Sequence, residues 1–149
     1  MRVRAGAPAH HGPREAFRWP VRIYYEDTDA GGVVYYGNYL AYLERARTEW
    51  LRCHGFELPI PAGHHDYVFV VRAVEIEYLK PARLNDALEV TVRVAEHGRS
   101  WISVFQHVLR GQEVLAKARV RAVCVNTQSI KPARIPQAIL DRLTAHNSE

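Results

Sequence analysis

Glu26, Asp27 and Asp29 put three carboxylates into four residues, in the stretch EDTDAGGVVYYGNY that spans 26–39. Gly31 and Gly32 follow, and a helical apolar pattern opens about eight residues after Asp29. A helix start exposes unpaired N–H groups that carry roughly half a positive charge. An oxyanion is stabilised there. Glycines let the backbone double back, so a single short stretch can present a carboxylate opposite that helix end. This is equipment for cleaving an acyl bond without a Ser/His/Asp triad. The same residues also read as an acidic turn that caps the helix, because Asp is common in turns. Residue types and spacing leave both readings open.

The elements that must position these groups follow from periodicity. Val21, Ile23 and Tyr25 alternate with Arg22 and Tyr24, which predicts a first strand. Tyr39, Leu43, Ala46, Trp50 and Cys53 recur on one helical stripe, with Arg45, Arg47, Glu49 and Arg52 on the other side. Asn38 is the expected N-cap and Gly55 the expected stop. Residues 56–66 carry Pro and Gly where regular structure does not want them and read as a loop. From Tyr67 the period falls to 2, and four strands are predicted over Tyr67–Tyr78, Leu88–Val94, Trp101–Leu109 and Val114–Cys124. The short turns between them predict antiparallel pairing of consecutive strands. Pro136 stands at the N1 position of a short last helix that ends near Leu143. The expected class is α+β: a curved antiparallel five-stranded sheet wrapped around one long helix.

With 149 residues and 48% hydrophobic content the chain holds one core. Residues 1–17 read as a flexible tail and 18–149 as a single domain. No apolar run approaches the ~20 residues of a membrane span. The N-terminus lacks the apolar segment of a secretory signal, so a cytoplasmic location is expected. The net charge of +4 favours anionic partners in general. Its cations are scattered and match no nucleic-acid-binding pattern, so no nucleic-acid partner is expected.

Cys53 and Cys124 lack metal-site or disulfide-framework spacing and read as reduced, buried thiols. The adjacent histidines of His10–His11 and His64–His65 lack ligand spacing, so no metal is expected. Cys53 and His54 point to different helix faces and form no nucleophile pair.

The stretch VRIYYEDTDAGGVVYYGNYLAYLERARTEWLR closely resembles the signature of the 4-hydroxybenzoyl-CoA thioesterase family. It is most similar to the bacterial branch associated with the Tol-Pal system, and FVVRAVEIEYLKPARLND at 69–86 resembles the same branch. The similarity covers about residues 20–130. It implies the hot-dog fold, a homodimer or homotetramer with sites at the subunit interface, and hydrolysis of acyl-CoA to a carboxylic acid and coenzyme A. Coenzyme A is then part of the substrate, and no cofactor is implied. Asp29 matches the family's catalytic acid, and the amides near Tyr36 and Gly37 match the donors to the thioester carbonyl. Glu26 and Asp27 stay turn and capping residues. Many members of the Tol-Pal branch have His where this chain has Tyr36, so a side-chain proton donor does not carry over, although a backbone N–H does.

Glu44 is a second candidate base, since some hot-dog thioesterases use a helix Glu; Thr48, four residues on, could orient it. A solvated or salt-bridged Glu44 beside Arg45 and Arg47 is the plainer reading. Arg99 and Ser100 align with the family's coenzyme A-contact turn and suit phosphate oxygens. Lys80 and Arg83 are weaker candidates for the same contact. Acyl carrier protein is a second candidate partner. A non-catalytic acyl-CoA or acyl-carrier-protein binding module is the rival function. A hot-dog dehydratase would need a different His and acid arrangement, which is not found.

Overall fold

A computed structural model describes residues 17–145. The order is β1 (Phe17–Arg22), a 3-10 turn (Tyr25–Asp27), α1 (Asn38–Cys53), β2 (Ile60–Ala62), β3 (His65–Tyr78), β4 (Ala87–His97), β5 (Trp101–Arg110), β6 (Glu113–Asn126) and α2 (Gln137–Thr144). All six strands form one antiparallel sheet in the order β1-β4-β5-β6-β3-β2.

α1 is held by its apolar stripe. Tyr39, Tyr42, Leu43, Ala46, Trp50 and Leu51 are buried against the inner sheet face, where Leu88, Val90, Val104, Val108 and Val120 are almost solvent-free. Each buried Leu or Val contributes roughly 1.5–3 kcal/mol by leaving water. The helix ends as Gly55 predicts. Gly55 takes φ +90, the Gly55 N–H donates to Arg52 C=O and the Phe56 N–H to Leu51 C=O, both at 2.9 Å. That pair of bonds is a Schellman motif.

Several expectations change. β1 lies at Phe17–Arg22 rather than Val21–Tyr25, because the Asp27 carboxylate accepts the Tyr24 N–H at 2.7 Å and closes a 3-10 turn. Phe17, expected in the tail, is buried in β1; the rest of the tail, with His10–His11, lies outside the described residues. A sixth strand, β2, emerges from the predicted loop, turning into β3 at Gly63–His64 with Gly63 at φ +72. Pro61 fits there because β2 is an edge strand, where a missing N–H breaks no ladder. β3 does not pair with its successor β4 but with β6. Eight residues separate β3 from β4. The chain crosses the sheet end there, with the Leu79 and Lys80 N–H groups both donating to Leu115 C=O. Pro136 is the N-cap of α2 rather than its first helical residue. Cys53 is exposed at the end of α1, whereas Cys124 is buried, and burial pushes the Cys124 thiol up to about 11.

Candidate active site

The Asp29 loop is a small hairpin. Thr28 bridges to Val34, the Asp29 N–H donates to Val33 C=O at 2.8 Å, and the Gly32 N–H returns to Asp29 C=O at 3.0 Å. Gly32, at φ +78, makes the reversal possible. The Asp29 carboxylate is exposed in the single chain. Its Oδ1 accepts the Gly31 N–H at 2.8 Å, while Oδ2 has no hydrogen-bond partner among the described residues.

This loop is tied to the start of α1 through Asp27. The Asp27 carbonyl accepts the Tyr35 N–H at 3.1 Å and the Asn38 side-chain amide at 2.9 Å. Asn38 is therefore not the N-cap; Gly37 is. The role fell to Gly37 because the Asn38 side chain reaches outward to Asp27 instead of back to its own helix. Gly37 is also a steric choice, since a Cβ there would sit 2.6 Å from the Tyr35 ring. The N–H groups of Asn38, Tyr39 and Leu40 are spent on Tyr35, Tyr36 and Gly37 carbonyls. Those of Tyr36 and Gly37 donate to no acceptor among the described residues. Tyr36 and Gly37 thus end the helix with two unspent donors.

Aromatic rings frame this end. The Tyr78 hydroxyl donates to Tyr36 C=O at 3.1 Å, and the Tyr78 ring stands edge-on to Tyr39 and Tyr36, with centroids 5.2 and 5.9 Å apart. The Tyr39 hydroxyl accepts the Ala82 N–H at 3.1 Å. Val34, Tyr36, Tyr39, Tyr78, Leu79 and Pro81 line an open groove of about 260 Å³ here. Tyr78 gave no signal in the sequence beyond its place at the end of an alternating strand.

Glu44 and Thr48 lie farther along α1 at a second cavity, of about 160 Å³, walled by Phe69, Val71, Val104 and Val120. Glu44 is exposed; no hydrogen bond links it to Thr48, and it makes no ion pair among the described residues. Arg47, expected opposite the apolar stripe of α1, instead faces the sheet. Its Nη1 donates to Gln106 Oε1 at 3.0 Å. Gln106 is fully buried and donates through Nε2 to Leu43 C=O at 3.0 Å. Burial lowers the Arg47 pKa, with Glu44 opposing. Gln106 was findable, being a polar residue at an inward position of β5.

Arg99 and Ser100 lie in the β4–β5 turn, which is held firmly. Cys124 N–H donates to Ser100 C=O and Ile135 N–H to Arg99 C=O, both at 2.7 Å. The Trp101 indole lies against Gly98, where any Cβ would collide with it, and the Arg121 guanidinium covers the ring at 4.0 Å. The Arg99 side chain is exposed. Lys80 is engaged at 2.7 Å with Glu113, which also binds Arg110. Arg83 lies within the crossover, its backbone bridged to Val33. The Asp29 loop, Tyr36, Gly37 and Lys80 thus gather at one end of the sheet. Arg99 and Ser100 stand at the other end of β4, about 35 Å away along an 11-residue strand. Among the described residues no group of three or more His, Cys, Asp or Glu could hold a metal ion. None of the described helices is long and apolar enough to cross a membrane.

A long helix wrapped by a curled antiparallel sheet, with an acidic hairpin at the helix start, defines a hot-dog protein of the thioesterase type. The chain belongs to the thioesterase-like superfamily, whose family model matches residues 23–143. It is 43% identical over 125 residues to the acyl-CoA thioester hydrolase YbgC of Escherichia coli O157:H7, covering 83% of this chain and 92% of that one. The acyl-CoA thioesterase YbgC of Haemophilus influenzae is 42% identical over 123 residues, covering 83% and 90%. The branch expected from the sequence is the one these relatives represent. Among solved structures, a probable thioesterase from Bartonella henselae superposes with a TM-score of 0.75 at 33% identity, covering 82% and 98%.

Proposed function

We propose that this chain hydrolyses acyl-CoA thioesters, with Asp29 as the attacking or proton-abstracting carboxylate and the Tyr36 and Gly37 amides as the oxyanion donors. The observation that carries the reading is the pair of unspent N–H groups at the start of α1, tied through the Asp27 carbonyl to the hairpin that bears Asp29. The thioester carbonyl oxygen accepts from those amides, and the donors are already in place when negative charge develops. Asp29 then drives attack on the carbonyl carbon, through its own oxygen to an anhydride or by taking a proton from water. The departing thiolate has a pKa near that of a free Cys, about 8.5, so it needs little acid assistance. That fits a mechanism to which no His is assigned. Glu44, exposed and several residues along the helix, is the weaker base.

The reading requires a second copy. The edge of β3 beyond β2 is unpaired and displays Val70, Val71, Val74 and Tyr78 to solvent. An exposed apolar strand edge is a template for another strand. Two β3 edges paired antiparallel about a two-fold axis bring the His65 end of one copy beside the Tyr78 end of the other. The partner's Arg99–Ser100 turn thereby approaches this chain's Asp29 loop and can meet the coenzyme A phosphates. Lys80, already spent on Glu113, is not needed there.

A free-thiol release assay over acyl-CoA chain lengths, with an acyl-carrier-protein arm and Asp29→Asn as the blank, tests the function. Turnover by the wild type that the Asn variant loses supports it. Equal turnover by both removes Asp29 from the mechanism, and binding without turnover reduces the chain to a carrier.

A further inference from the structure

The cavity between α1 and the sheet is apolar on its walls but carries a guanidinium inside. Arg47 is aimed inward and spends one N–H on Gln106. Arginine has five such donors, and no carboxylate forms an ion pair with Arg47 among the described residues. The remaining guanidinium nitrogens are not sealed, since among the described residues the only fully buried side-chain polar atom left without a partner is the Tyr42 hydroxyl. Gln106 exists at this place for no helix or strand reason, because the even positions around it on β5 are Val104 and Val108. It accepts from Arg47 and is pinned in turn by Leu43 C=O, so the guanidinium is fixed rather than free to reach solvent. A fixed, partly desolvated fork with spare donors suits a carboxylate, which it can bind through two parallel bonds.

We infer that Arg47, positioned by Gln106, receives a terminal carboxylate on the acyl group, making short dicarboxylic mono-thioesters of coenzyme A the preferred substrates. This rests on the thioesterase reading above. The length of the acyl group follows from the helix. Leu43, whose carbonyl anchors Gln106, is six residues beyond Gly37, about 9 Å along the axis. A hydrogen bond of about 3 Å at each end leaves about 3 Å if all lie along the axis, and more where the bonds meet it at an angle. That admits acyl groups of about three to five carbons, malonyl to glutaryl. The volume agrees, because a 160 Å³ apolar cavity holds about one benzene-sized body. Glu44 is the other charged group at this cavity and repels a carboxylate. Its exposure places its charge in high dielectric, where the repulsion is screened.

The test compares kcat/KM for glutaryl-CoA and pentanoyl-CoA, which share five acyl carbons and differ in the terminal group. The wild type should favour glutaryl-CoA by about ten- to hundredfold, the worth of one well-made charged hydrogen-bond pair. Arg47→Leu should drop that ratio to one or below, Arg47→Lys should keep part of it, and Glu44→Gln should raise it. A wild-type ratio at or below one overturns the inference even if no variant folds, as does an Arg47→Leu protein that keeps the full preference. If the wild type releases thiol from neither substrate and from no other acyl-CoA, the thioesterase reading itself falls. Turnover of pentanoyl-CoA without glutaryl preference sinks only the carboxylate receptor.

Discussion

A single carboxylate carries the proposed chemistry, and its surroundings say how it should respond. Asp29 is fixed by the Gly31 N–H on one oxygen, and the other, without a partner among the described residues, is the one proposed to act. Asp29→Asn keeps the Asx turn but loses the base, so kcat should fall roughly 10²–10⁴-fold while the melting temperature barely moves. A stopped assay at saturating thioester and a thermal melt measure the two claims, and a Tm drop matching the activity loss would instead assign Asp29 to folding. His107 on the outer sheet face tells a separate story. Burial, then Lys117 and Arg93, hold its pKa below the usual histidine value. The native state therefore prefers neutral imidazole, while the unfolded chain titrates near 6.5. The stabilising effect is complete above that value and is lost as pH falls through the lower, folded pKa. Denaturant melts between pH 7 and 5 should show His107→Gln losing less stability over this window than the wild type, and parallel pH slopes would refute the assignment.

At the level of elements, the helix and its stop were legible because apolar spacing and Gly55 point to the same structure. The strands after β2 were legible for the same reason, their inward positions alternating with Glu, Lys and Arg. What the residues hid was non-local. Pro61 concealed β2, since only an edge position tolerates it, and the edge is a property of the finished sheet. The pairing of β3 with β6 was hidden because local alternation fixes which face is buried, not which neighbour lies beside it. Arg47 was placed opposite the apolar stripe because a helical wheel has no view of Gln106 waiting on β5. Of the site, the Asp29 hairpin and the Tyr36–Gly37 start came from composition and resemblance together, whereas the Asp27 carbonyl that ties them did not. The β4–β5 hairpin offers an element-scale prediction. A Cβ at Gly98 would overlap the Trp101 indole, so Gly98→Ala must displace the ring from beneath Arg121. The expected result is destabilisation by about 1–3 kcal/mol, as for overpacking, with KM for acyl-CoA raised along with it. Urea titration and steady-state kinetics read the two effects, and an unchanged KM would separate this turn from the substrate.

For the whole molecule, the distance along β4 decides what one chain can do alone. Asp29 and Arg99 lie at opposite sheet ends, separated by the length of β4, so the proposed site that uses both draws them from two copies. Val74→Lys places a charge on the open β3 edge, the device by which natural edges resist pairing, and should yield a monomer by light scattering with little turnover. A sharper version needs no monomer. In a composite dimer, each site takes Asp29 from one copy and Arg99 from the other. Mixing the Asp29→Asn and Arg99→Ala proteins after unfolding and joint refolding forms heterodimers in which both defects collect in one site and the other site is wholly intact. With random two-fold pairing, half the dimers are mixed and half of their sites are whole, so about a quarter of wild-type kcat/KM should return. Were both residues to serve the same chain's site, every site would carry one defect and the mixture would show only the average of its parents. Low substrate concentration and low salt give the cleanest reading, since the Arg99 contact to phosphate acts through KM and is strongest where ions screen it least.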